Sequence, residues 1–296
     1  MPHRLTYSLL VVAAAALWGT TGTAQALAPE GAQPLAVGAV RIALGGAALM
    51  VFAALGRILL RREAVPVRGA WSPGPVVAAA VGVALYQPLF FAGVALSGVS
   101  VGTVVAIGSA PVMAGLVGLV ALGERPGGLW AGATFLAISG CALLVGSGGT
   151  GGVTLFGVLC ALGAGLCYGS YATASKVLLD RGARQAEIMA AAFGLGGALL
   201  APALLFVDLG WLAQPAGLAA ALHLGLVATA AAYLLFARGL SGLPVATAAT
   251  LSLAEPLTAG VLGFLLLGER LGPVSLFGAA LLLCGLLAAA RGGKAS

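Results

Sequence analysis

The chain has 296 residues, of which 61% are hydrophobic and only 7% charged, and its mean hydropathy is +1.11. That composition belongs to a protein whose solvent is lipid, and it leaves no polar stretch long enough for a soluble catalytic or nucleotide-hydrolysing domain. The net charge of +6 reads as a membrane-topology signal, because the basic residues cluster in alternate connections, and not as a nucleic-acid footprint.

At about 17 to 25 apolar residues per crossing, ten spans read in chain order: 5–27, 34–56, 74–96, 99–121, 128–147, 153–176, 186–207, 215–237, 244–267 and 272–290. The apolar runs are continuous and do not alternate, so they are helices and not porin strands. The first span carries Trp18, Thr21 and Gln25. Arg4, its apolar run and Ala24-Gln25-Ala26 also look like a cleavable secretory signal, but a later span matches this one, and cleavage would break the match. The second span contains Arg41. The third has Tyr86 and Gln87 next to Pro88, whose missing N–H frees a carbonyl and would suit a bend at a gate or a static kink. The fourth holds Thr103, Ser109 and Pro111 and ends in Gly123-Glu124-Arg125. The sixth holds Tyr168, Tyr171 and Ser175, and the eighth His223 and Tyr233. The ninth carries Thr247, Ser252, Glu255, Pro256 and Thr258 and ends in Gly268-Glu269-Arg270. Gly98-x-x-x-Gly102 and Gly165-x-x-x-Gly169 have the spacing that lets membrane helices approach closely. Cys141, Cys160, Cys167 and Cys284 fall inside spans as apolar packers, and His3 and His223 are too isolated for a zinc site, so neither metal nor cofactor is expected.

Two stretches recur. Trp18-Gly19-Thr20 and its surroundings return 150 positions later around Tyr168-Gly169-Ser170, and Pro111, Gly115, Gly118 and Gly123-Glu124-Arg125 return 145 positions later as Pro256, Gly260, Gly263 and Gly268-Glu269-Arg270. This predicts a duplication, with one five-helix unit in residues 1–147 and a second in 148–296. With the N-terminus inside, twelve of the fourteen Lys and Arg lie on the cytoplasmic side, so both termini are cytoplasmic. A unit of five spans is odd, so its copies enter the bilayer in opposite senses. Such inverted repeats build an inner and an outer gate around one central site, which predicts transport through a monomer that is sufficient by itself.

The five-helix duplication, the Trp18-Gly19 pair, Arg41 and the paired P-x-x-x-G-x-x-G-x(4)-G-E-R endings of spans four and nine resemble the drug/metabolite transporter superfamily, and within it the ten-helix EamA-type exporters. The chain is most similar to the YddG-type amino-acid exporters of the bacterial inner membrane. The resemblance implies export of amino acids or related small metabolites by alternating access. It also implies a cavity between spans one, three, four, six, eight and nine, with the other helices as outer support.

The repeat nominates the lining. Trp18, Thr21 and Gln25 share one helix face, and Tyr168, Tyr171 and Ser175 occupy the same offsets in the second copy. Tyr86, Gln87, Thr103, His223 and Ser252 add polar groups. Packing or backbone-bonded roles remain open for each of these, and for His223 a structural hydrogen bond is the stronger alternative. Glu255 and Arg41 are intramembrane charges whose repeat partners are Ala110 and Ala192. An acid at that depth costs about 2.5 to 3.5 kcal/mol and is a functional candidate by default. Counting about 1.5 Å per residue, the two charges fall at similar depths and are expected to interact, directly or through water, or else to have separate partners. Arg41, Glu255 and Pro88 are the coupling or gating candidates, joined by Glu124 and Glu269 at opposite membrane faces, where they either lock two gates or simply snorkel. With no cluster of Lys and Arg a sugar phosphate is disfavoured, and a neutral or zwitterionic metabolite fits best. A cationic drug is the alternative substrate, and a non-transporting scaffold the alternative class. No intramembrane acid pair, metal spacing or activated nucleophile suggests an enzyme.

Overall fold

The computed structural model of the chain describes residues 2–59, 71–146, 153–268, 270 and 272–292. Among these, ten helices are long and apolar enough to cross a membrane and no strand forms. They are Arg4–Ala26, Pro34–Leu59, Pro73–Ser97, Val99–Leu122, Gly128–Val145, Leu155–Asp180, Gln185–Phe206, Pro215–Leu240, Val245–Leu266 and Pro273–Arg291, numbered here as spans 1 to 10. Every end falls within four residues of the boundary read from hydropathy. Local chemistry explains the ends. Pro34, Pro73, Pro215 and Pro273 begin spans, where the missing N–H costs no intrahelical bond. Span 4 stops at Gly123, whose left-handed φ of 69° lets its own N–H reach the Leu119 carbonyl and the following Glu124 N–H reach the Gly118 carbonyl.

The bundle is apolar outside and small inside. Phe135 is 72% exposed, Phe277 62% and Leu116 55%, facing what would be lipid, whereas Ala14, Ala137, Ala172 and Ala248 are fully buried. Hydrocarbon supplies no hydrophobic drive between helices, so they hold together by close contact at small residues. At Gly19 a β-carbon would come within 2.6 Å of the Glu255 carbonyl, and at Gly169 within 2.8 Å of the Ala114 amide. These equivalent positions join span 1 to span 9 and span 6 to span 4. Span 1 also packs on span 8 and span 6 on span 3, while spans 2 and 7 and spans 5 and 10 form pairs. Gly98 does not serve the small-residue packing its spacing suggested. It lies between spans 3 and 4 at φ 79°, where the chain turns and only glycine is unstrained.

Hydropathy did not disclose three irregularities. Span 7 ends in a 3-10 turn at Ala201–Phe206, span 8 widens to a π-helix over His223–Ala231, and span 9 is broken between Val245–Leu251 and Ala254–Leu266. The break has a local cause. Pro256 has no N–H to offer the Ser252 carbonyl, which instead accepts from Glu255 N at 3.0 Å. Helix Pro73–Ser97, by contrast, runs unbroken through Pro88.

A side chain at Gly140 would strike the backbone of Leu282 and the Gly278 carbonyl, whereas Gly132, on the same helix, has open space around it. Gly140→Leu is therefore expected to destabilise the detergent-purified protein by about 1 to 3 kcal/mol, and Gly132→Leu to leave it unchanged, as read by thermal unfolding.

Candidate functional site

The aromatic side chains converge on one internal cavity of about 70 Å³. Span 1 contributes Trp18 and span 6 contributes Tyr168 and Tyr171. Span 3 adds Gly82, Val83, Tyr86 and Gln87, and span 8 adds Tyr233. Spans 2 and 7 reach it as well, through Arg41, Ile42 and Phe193, so neither is merely an outer support. Span 9 supplies Glu255. A second chamber of about 20 Å³ shares Trp18, Tyr86, Tyr168 and Glu255 and is otherwise bounded mainly by Ala106, Ile107, Ala110, Ala249 and Leu253, with the Ser252 hydroxyl.

The rings brace one another. Trp18 and Tyr233 lie 4.8 Å apart between centroids, Phe193 and Tyr233 4.2 Å, and Tyr171 and Phe236 6.2 Å, distances at which aromatic pairs attract beyond simple burial. The Tyr171 hydroxyl donates to the Met189 sulfur at 3.0 Å. The Tyr168 hydroxyl meets Ser252 Oγ at 2.8 Å, and Ser252 itself donates to the Ala248 carbonyl, so Tyr168 is the donor. That bond ties span 6 to the break in span 9.

Arg41 is held by span 8. Its Nε donates to Thr229 Oγ1 at 3.2 Å and its Nη2 to the Ala228 carbonyl at 3.4 Å, while Thr229 donates to the Leu224 carbonyl at 2.8 Å. That last bond reaches five residues back, the spacing of a π-helix. Gly45, one turn beyond Arg41, makes the approach possible, because a β-carbon there would lie 2.7 Å from Thr229 Cβ. Glu255 sits in the first turn after the break, at the helix end where the dipole favours a carboxylate. Arg41 and Glu255 border the same cavity, yet no ion pair or hydrogen bond joins them among the described residues.

The other nominated residues lie elsewhere. His223 shares a 2.8 Å hydrogen bond with Thr20 Oγ1, which donates onward to Leu17. Thr21 and Ser175 hold buried hydroxyls away from the cavity, and Gln25 and Thr103 are half-buried outside it. Phe193, Ile42 and Val83 escaped the sequence reading, since an apolar lining residue looks like any lipid-facing one. The repeat correspondence of Ile42 with Phe193, beside Arg41 and Ala192, could have pointed to those two, and nothing in the sequence pointed to Val83.

At one end of the bundle Glu124 accepts the Val245 N–H with both oxygens, at 2.9 and 3.3 Å, capping the start of span 9. Lys176 lies nearby, donating to the Ser241 carbonyl at 3.4 Å and paired with Asp180 at 2.9 Å. Burial pushes the Glu124 carboxyl above the usual range and Asp180 adds to this, while the Val245 amide and Lys176 pull it down. Glu269, its counterpart, lies outside the described residues.

The model of the EamA-like transporter family matches the chain twice, over residues 5–146 and 155–291. The chain belongs to this family. It is 46% identical over 281 residues to the Uncharacterized transporter YwfM of Bacillus subtilis (strain 168), an alignment covering 95% of this chain and 92% of the relative. A crystal structure 22% identical in sequence superposes with a TM-score of 0.80 over 96% of both chains, a likeness of fold. This protein is therefore a multi-pass membrane transporter of small molecules.

Where the ends of spans 4 and 9 part, Glu124 regains its ordinary acidity. The capped form has the higher proton affinity, so protons favour it, and raising the pH through the interval between the two values loosens it. A cysteine placed at Ser241 should thus become more reactive to an impermeant maleimide as pH rises, relative to denatured protein. Glu124→Gln should stay protected throughout and Glu124→Ala should stay reactive, with a stability loss of about 1 kcal/mol.

Proposed function

We propose that this transporter exports amino acids and related small metabolites across a bacterial inner membrane by alternating access, with both termini cytoplasmic. The observation that carries the reading is the cavity itself: a box of Trp and Tyr rings with one arginine and one glutamate, and no cluster of cations to hold a phosphate. Amphipathic rings suit a side chain on their faces and polar backbone groups at their edges.

The helix neighbours support an inverted repeat. Exchanging span 1 with 6, 3 with 8 and 4 with 9 maps the 1–9 contact onto 6–4 and the 1–8 contact onto 6–3. The separate family matches to each half support the same division, into residues 1–147 and 148–296. In this reading Glu124 closes the cytoplasmic gate and Glu269 the outer one. Tyr168, Tyr171, Trp18, Tyr86 and Gln87 form the binding wall, and a single chain suffices.

One observation favours a second substrate. The Glu255 carboxylate, with no hydrogen bond or contact ion pair among the described residues and bordered by rings, would also suit an organic cation. Arg41 on the same cavity opposes it. The test is counterflow in proteoliposomes with a panel of labelled amino acids and a quaternary ammonium dye. Amino-acid counterflow is expected, with Trp18→Ala and Tyr168→Ala each raising KM by about tenfold. Dye movement without amino-acid movement would transfer the assignment to cation efflux. Repeating the assay with an imposed pH gradient separates proton-coupled from passive transport.

A further inference from the structure

We propose that Arg41 and Glu255 are the two halves of a zwitterion clamp, Arg41 taking the carboxylate and Glu255 the ammonium of one α-amino acid; this rests on the export reading above. Arg41 spends its Nε and one Nη2 hydrogen on span 8. The end of the guanidinium, Nη1 with the second Nη2 hydrogen, has no protein acceptor among the described residues, and the residue borders the cavity. That edge is the planar fork that receives a carboxylate with two parallel bonds. Glu255 presents a carboxylate with no protein donor among the described residues, at the partition shared by both chambers. Trp18, Tyr86 and Tyr168 border the same partition, and their faces attract an ammonium.

Two opposite charges in one low-dielectric cavity are relieved by each other, by protonation of the acid, or by a third species that pairs with both. Here no contact-distance ion pair or hydrogen bond closes between them among the described residues, so a third species can enter. The species that satisfies both carries a negative group toward span 2 and a positive group toward span 9, on neighbouring atoms, which describes an α-amino acid. The repeat sharpens the assignment. Trp18 corresponds to Tyr168 and Ile42 to Phe193, so much of the apolar frame is common to both halves. Arg41 and Glu255 face Ala192 and Ala110 in that correspondence. The charges have no charged counterpart in the other half, and they give the cavity one fixed direction in which to hold a ligand.

The test compares ligands that differ by one charge, read as thermal stabilisation of the purified protein: phenylalanine, phenethylamine and 3-phenylpropionate, and leucine, isoamylamine and 4-methylpentanoate. The wild type should bind each amino acid at least about tenfold more tightly than its amine or its acid. Arg41→Gln should lose this preference by losing the amino acid and the acid while keeping the amine. Glu255→Gln should lose the amine and keep the acid. The wild-type comparison needs no variant, so misfolding of either variant cannot obscure it. If amino acids are carried in counterflow but single-charge analogues bind equally well, the clamp is overturned and the export reading survives. If no amino acid is carried or bound, both fall together.

Discussion

An arginine two turns inside a membrane helix must find acceptors inside the protein, and much of this bundle can be understood as the answer to that requirement. Thr229 and the Ala228 carbonyl meet Arg41 because span 8 is wound as a π-helix at that level. They can reach it because Gly45 lets spans 2 and 8 nearly touch. The same approach draws span 2 into the cavity wall. Without it Arg41 would have neither partner, and the cavity would lose its cation. An ordinary α-turn at this point would reset which side chains of span 8 face inward, Tyr233 among them.

Much of this was legible in the sequence. Hydropathy placed all ten spans closely, since it measures transfer into lipid, and that is what sets span length. It was blind to the break in span 9 and the π-turn of span 8, since both are choices among backbone hydrogen-bond registers that leave side-chain polarity unchanged. Pro256 was visible as the counterpart of Pro111, yet only one of the two interrupts its helix. The difference lies in their neighbours. Two hydroxyls, of Thr250 and Ser252, turn back onto carbonyls four residues earlier ahead of Pro256, against the one longer bond of Ser109 to Ala106 ahead of Pro111, and this competes with the regular ladder.

The site was legible where the repeat spoke and obscure where it was silent. Trp18 and Tyr168, nominated as counterparts, both line the cavity, and Tyr171 joins them. Ser175, one turn further along the same face, lies beyond the level of the cavity, because a helical stripe continues past any single chamber. Thr21 and Gln25 depart from it at the other end of span 1 for the same reason. Arg41 and Glu255 stood out as misplaced charges, but their depth alone did not reveal that one would be anchored to span 8 while the other makes no side-chain hydrogen bond among the described residues.

Span 9 illustrates what an interruption does mechanically. Its first piece is fastened by Glu124, and its second lies against Gly19 of span 1. A continuous rod would oblige both attachments to shift as one lever. Two short rods meeting at Ser252 and Leu253 instead let the membrane-edge fastening slacken while the carboxylate at the joint keeps its station.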